Sequence, residues 1–485
     1  MHFKNLKNWF LPISICILLG FLSSCRKDKA LTTGGEVVFS VDTLMFDTVF
    51  TAQGSATRKV KIYNPQKEKL NITSIRMRKG ANSAYRLNIN GIAGTEVKDV
   101  ELAGQDSVWV FAAVTVDPTD ENSPFVENDE LVVTLNGKEF AIPFIAYGQN
   151  AYYIVDSVLQ TQTWLTDKPY VIIRNAYVDE SQTLTIPAGA RVYVHQDSRL
   201  FVIGTLKING TKTDSVVFQG DRLDPLVWIG DYIDLPGQWG GIYFFQQSYN
   251  NEINYAVFKN GGAPTANPFG EGNIQGATIQ VDPDTVQNGI PKLRLNNTVI
   301  RSSLGYGVLA YKSSVNAQNC RIVECGAECV AAFQGGKYNF TYCTIGTFGS
   351  QYLSHSDNIS MALLNYYPIS QSDYISGNLD ATITNCIVYG SLENEALFLE
   401  RSGATMAVTL NNNLLKVNEP FGSFVVDNNN IKNQDPMYVD QAKDDYHLQA
   451  GSPAASAGIV IPSITSDLDG MLRGNPPSIG CFQVQ

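Results

Sequence analysis

The residues best suited to chemistry in this 485-residue chain crowd into one stretch. Residues 220–238 carry Asp221, Arg222, Asp224, Trp228, Asp231, Tyr232 and Asp234, and Trp239 follows directly. Residues 346–358 add Tyr352, His355 and Asp357. Aromatic rings beside carboxylates suit sugars, which stack their apolar faces and donate hydroxyl hydrogen bonds. The same mixture suits a protein partner. Clustered acids also attract Ca²⁺, but their spacing matches no standard calcium loop, so no cofactor or metal is assigned. Trp239 is read as a packing residue. Trp228 and Tyr232 fit packing and recognition equally.

An internal repeat must position these residues. Stacking short segments aligns "NNEINY-AVFK", "KLRLNN-TVIR", "VNAQN-CRIV", "NFTY-CTIG", "DATITN-CIVY" and "VTLNN-NLLK". The residue after each break is Ala256, Thr298, Cys320, Cys343, Cys386 and Asn413, and "KTDS-VVFQ" sets Val216 one turn earlier. The column is read as an interior ladder in which free Cys packs as a small apolar side chain. Thr298 and Ala256 neither bind zinc nor form bridges, which weighs against a metal or disulfide role there. Cys325 and Cys329 are the best remaining candidates for a disulfide. A second short strand follows in each unit, among them "GGIYF", "ATIQV", "GVLAY", "CVAAF", "SMALL", "ALFLE" and "SFVV". A period near 22 residues, three short strands and no helix predict a right-handed parallel β-helix. Three units carry insertions, at 220–238, 261–275 and 346–358. In a solenoid, loops from one corner emerge side by side.

The chain resembles the large parallel β-helix group that includes pectate lyases and many bacterial surface proteins. "GQWGGIYF" (237–244) is similar to a recurring coil motif of that group. The run from "DPMYVD" through "GSPAASAGI" to "SIGCFQ" resembles its closing segment. The resemblance implies either a lyase with an acidic calcium cluster and an Arg base, or a polygalacturonase-like hydrolase. The latter uses Asn-x-Asp, Asp-Asp, His-Gly and Arg-x-Lys motifs. Here His195, His355 and His447 are followed by Gln, Ser and Leu. The sole Asp-Asp pair, Asp444-Asp445, lies beyond the last clear coil. No catalytic residue is therefore assigned, since fold alone does not warrant one.

Ahead of the solenoid, residues 37–151 alternate apolar and polar positions over about seven short strands, which predicts a β-sandwich. "FDTVFTAQGS", "VKIYNP" and "DSVWVFAAVTVDP" resemble landmarks of the immunoglobulin-like ASH domains. With no Cys between Cys25 and Cys320, this sandwich holds by core burial alone. The expected organisation is a tether at 25–36, the sandwich at 37–151, and a linker leading into the solenoid at 152–185. The β-helix follows at 186–440 and the closing segment at 441–485. The fold class is all-β throughout.

Lys4, Lys7 and the apolar run 10–22 form a leader too short to span a bilayer. It ends in Leu22-Ser23-Ser24-Cys25, which resembles the bacterial lipobox. That implies cleavage of residues 1–24 and lipid on Cys25. The absence of Asp at position 26 implies the outer membrane. Removing the leader shifts the net charge from -11 to -13. That argues against nucleic acid as a partner, because phosphate binding needs clustered cations. Expected partners are the membrane, through the lipid, and a polysaccharide or another surface protein. The first reading is a non-enzymatic outer-membrane lipoprotein presenting its loop face. Its rivals are a polysaccharide lyase or glycoside hydrolase of unrecognised type, and a structural subunit of an outer-membrane assembly.

Overall fold

The computed structural model describes residues 30–119, 121–223, 225–226, 230–231, 234–286, 289–370 and 373–484. Cys25 and residues 1–24 lie outside them. The chain divides into two compact units, Met1–Gln149 and Asn150–Gln485.

The first unit has two sheets. One joins Ala30–Leu31, Lys69–Met77, Phe125–Leu135, Lys138–Gln149 and Leu44–Phe50, with Glu96–Leu102 also on Lys69–Met77. The other joins Val38–Phe39, Arg58–Tyr63, Ser107–Val114, Tyr85–Ile89 and Ile92–Gly94. Alternation puts every second side chain inward, so Val60, Ile62, Val108 and Val110 meet Ile72, Leu131, Val133 and Phe144 in one core. At its centre Tyr85 packs 5.3 Å from Phe46 and 5.5 Å from Phe144, and its hydroxyl donates to the Glu127 carbonyl at 2.8 Å.

The second unit is a parallel β-helix of 26 strands. Each coil crosses three stacked sheets. Sheet 1 includes Arg199–Val202, Gly241–Phe244 and Ala277–Val281. Sheet 2 includes Thr205–Asn209, Asn251–Asn254 and Leu293–Asn296. Sheet 3 includes Val216–Gly220, Ala256–Lys259, Val299–Ser303, Arg321–Cys325 and Thr344–Gly346. Parallel neighbours place like on like. Phe218, Phe258, Ile300, Ile322 and Ile345 form an interior ladder with no exposed surface. Each such side chain contributes roughly 1.5–3 kcal/mol on burial.

The expected solenoid entry at 152–185 is itself coiled: Tyr152–Leu159 pairs with Tyr170–Val178, and Trp164 stacks on Tyr170 at 3.9 Å. The "SFVV" segment lands elsewhere, since Val425–Asn428 pairs with Met406–Asn411 in sheet 2.

The turn from sheet 2 to sheet 3 recurs with one backbone solution. Tyr255, Asn297, Asn319, Tyr342, Asn385 and Asn412 all take φ between +45° and +54°. Asn tolerates this left-handed conformation better than other residues with a Cβ, which explains the Asn-rich breaks. The next residue in each coil points inward: Ala256, Thr298, Cys320, Cys343, Cys386 and Asn413 are at most 1% exposed. All six described cysteines are free thiols, Cys325 and Cys329 included. Burial pushes the Cys320 and Cys386 thiols well above their ordinary pKa, so they stay neutral.

The segment after the last coil folds back along sheet 3 instead of capping an end. Tyr438, Tyr446, Ile479 and Cys481 cover Val323, Ile387 and Leu414 on its outer side. The turn column stitches it down. Asn319 Nδ2 donates to Ser466 O at 2.9 Å, while Tyr342 Oη and Asn385 Nδ2 both donate to Ile459 O at 2.8 Å.

Candidate functional site

The insertions 220–238, 261–275 and 346–358 all leave sheet 3 and return to sheet 1, so they share one corner. Between the first and third lies a cleft of about 800 Å³. Four kinds of segment build it. Asp234 and Pro236 come from the first insertion, and Phe348 to Leu353 from the third. Arg301, Ser302 and Glu324 come from the ends of two sheet 3 strands. Gln441 to Asp444 come from the folded-back closing segment.

The cleft is charged and internally tied. Arg321 donates through Nη2 to Asp444 Oδ2 at 2.9 Å and through Nη1 to the Asp444 carbonyl at 2.6 Å. Arg301 Nε stands 3.5 Å from the same carboxylate oxygen. Glu324 Oε1 accepts from the Phe348 backbone N–H and from the Tyr446 hydroxyl, each at 2.9 Å. Its other oxygen, Oε2, is buried without a hydrogen-bond partner among the described residues. Burial and then the Glu324 charge push the Tyr446 phenol well above its ordinary pKa, so Tyr446 remains a donor. Lys259 is held below its ordinary pKa by burial and by Arg301, with Asp234 opposing. Ser302, Glu324 and Asp444 have left-handed φ of +55°, +52° and +65°, the first two as part of a column that repeats from coil to coil.

The sequence-predicted residues divide sharply. Asp234 and Tyr352 do line the cleft together. Asp221 instead pairs with His195, Oδ2 to Nδ1 at 2.6 Å, which raises the His195 pKa; Arg222 is half-buried beside them. The backbone of Asp231 pairs with Pro225 in a two-stranded turn. Asp224, Trp228 and Tyr232 lie outside the described residues. His355 is not on the recognition surface: its side chain is 1% exposed and its Nε2 sits 3.0 Å from Glu395 Oε1. Trp239 is buried, donates to the Lys259 carbonyl at 3.0 Å and stacks on Phe218. Among the described residues, no three His, Cys, Asp or Glu side chains are placed to hold a metal ion.

Arg301, Glu324 and Asp444 were not singled out from sequence. Asp444 had been set aside as lying beyond the coils. Their signal was faint: Glu324 stands in the repeat column of Asn260 and Ser302, where a left-handed residue ends each strand.

Fold and cleft together define a parallel β-helix with a charged, aromatic groove at its insertion corner. No family model and no curated protein matches the chain. Among solved structures, a family 123 glycoside hydrolase from Clostridium perfringens, studied for glycolipid glycan hydrolysis, shares 6% identity. That match covers 24% of this chain and 26% of the other, with a TM-score of 0.17. Dex49A from Penicillium minioluteum shares 9% identity over 78% of this chain and 75% of its own, with a TM-score of 0.27. Overlaps this loose bear on neither substrate nor chemistry. The fold rests on the strand register described above.

Proposed function

We propose that this chain is a lipid-anchored outer-membrane protein that recognises a polysaccharide in the corner cleft. The observation that carries the reading is convergence: Asp234, Arg301, Glu324, Tyr352 and Asp444 come from five separate chain segments into one groove. Sugar recognition needs such a mixture of ring surface and fixed donors and acceptors. The amino-terminal sandwich, of immunoglobulin-like type, serves as spacer near the membrane, and Cys25 carries the lipid.

A second reading, hydrolysis or elimination of the bound glycan, draws on a specific feature. Two of the three carboxylates lining the groove sit in different settings: Asp444 is fixed by Arg321 and Arg301, whereas Glu324 has one buried oxygen unpartnered. Environments that differ in this way suit paired carboxylates with separate roles.

Incubation of the purified protein with anionic and neutral glycans separates the readings. Binding without product release supports recognition. Product release that disappears in Glu324→Gln supports the enzymatic reading. Binding of no glycan, with co-purification of a stoichiometric protein partner in detergent, replaces both with the assembly role.

A further inference from the structure

The outer surface of sheet 1, where the second insertion lies over it, carries a different feature that shares no lining residue with the cleft. Tyr177, Phe201 and Tyr243 occupy one register column on consecutive coils. Tyr177 and Phe201 stack at 5.3 Å, and Tyr243 stacks on Phe245 at 4.6 Å. Phe269, from the second insertion, stands edge-on against Phe201 at 5.2 Å and Phe245 at 5.1 Å, yet remains 54% exposed. Phe269 thus offers a half-open apolar ring backed by edge-on aromatic contacts.

Beside it opens a hollow of about 330 Å³. Its described lining holds three aromatic rings, Tyr243, Phe245 and Phe269, and four amide side chains, among them Asn267, Gln275 and Gln280. No charged side chain lines it, in a chain whose net charge is -11. Gln280 is 7% exposed. Its Nε2 donates to Asp282 Oδ1 at 3.4 Å, which sets the amide orientation. Its Oε1 is thereby left buried and without a partner among the described residues. A buried acceptor in that state asks for a donor from outside the chain.

We infer that this hollow is a second binding site, and that it takes an uncharged pyranose of a neutral oligosaccharide. The ring's apolar face rests on Phe269, and a sugar hydroxyl donates to Gln280 Oε1. The other amides supply both donors and acceptors, which match hydroxyls better than they match carboxylates or phosphates. The inference rests on the glycan reading for its ligand class alone, because its residues are distinct from those of the cleft.

Titration calorimetry of the full-length protein with maltohexaose, cellohexaose and xylohexaose tests it. At least one hexasaccharide binds, and Phe269→Ala and Gln280→Leu each weaken it tenfold or more, while Tyr352→Ala in the cleft leaves that affinity unchanged. Phe269 is exposed enough for its variant to fold, and equal melting temperatures confirm it. A hexasaccharide lost in Tyr352→Ala but retained in Phe269→Ala overturns this site and leaves the cleft reading standing. Binding of none of the three sugars, or binding indifferent to both sheet 1 variants, also overturns it.

Discussion

The Nε2 of His355 lies 3.0 Å from Oε1 of Glu395, forty positions away, with both side chains withdrawn from solvent. Glu395 also accepts from the Ser360 backbone N–H at 3.0 Å and the Leu392 N–H at 2.8 Å. The contact ties the third insertion to a later coil, so a loop that lines the cleft has a fixed root. His355→Ala removes one hydrogen-bond partner of the buried Glu395 carboxylate, which keeps the Ser360 and Leu392 N–H groups and the Ser360 hydroxyl. Losing one hydrogen bond to a buried charged group costs about 1.5–3 kcal/mol. Chemical denaturation is expected to show a loss of that order; a loss of a few tenths would mean the insertion is anchored elsewhere.

The cysteine column calls for the opposite size of effect. Cys320, Cys343 and Cys386 sit on consecutive coils, and the Cys343 N–H contacts Cys386 Sγ at 3.2 Å. Their work is to fill space. Cys343→Ala is expected to cost on the order of 1–2 kcal/mol through lost packing. Melting temperature should not respond to EDTA or dithiothreitol. A large drop with either reagent would assign a metal or a disulfide to the column.

His195 gives a pH dependence with a definite sign. The hydrogen bond to Asp221 raises its pKa above 6.5, burial opposes, the charges of Asp221 and Asp197 add, and Arg222 opposes. A folded pKa above the unfolded one stabilises fully below the unfolded value and loses that stabilisation as pH rises through the folded value. The stability gap between wild type and Asp221→Asn should therefore be widest below the ordinary histidine value of 6.5 and narrow as pH rises above it. A gap that widens with pH contradicts the pairing.

The proposed lipid anchor rests on the Leu22 to Cys25 motif. Metabolic labelling with a fatty acid should mark the wild type and leave Cys25→Ser unmarked and unprocessed. Equal labelling of the variant would remove the lipid from the account.

Most of the solenoid was legible because its physics repeats. A left-handed corner recurs in six coils from Tyr255 to Asn412, and Asn at 297, 319, 385 and 412 announces it in the sequence. The inward residue that follows is small or apolar for the same geometric reason, and this exposes the ladder from Ala256 to Asn413. The entry coil was less plain because Tyr170–Val178 bends at Arg174, φ +65°, so one strand serves two sheets without a turn residue between them. The cleft was half legible. Asp234 and Tyr352 stand out as polar and aromatic residues in long loops, but Arg301 and Glu324 look like the solvated side of a strand. Their partners come from distant segments: Glu324 meets Phe348 and Tyr446, and Arg301 meets Asp444, while Arg321 meets Asp444 across 123 positions of sequence. His355 failed for the converse reason: a loop histidine reads as exposed until a distant carboxylate is folded over it.

The cleft itself is the central claim, and equilibrium binding of a glycan panel to wild type, Arg301→Ala and Tyr352→Ala addresses it most directly. The account predicts that one polysaccharide binds the wild type and that each substitution weakens it by roughly 1–3 kcal/mol. Melting temperatures should be little changed, because the coils stack without these side chains. Affinity unaltered by both substitutions, in proteins that melt like the wild type, would contradict it.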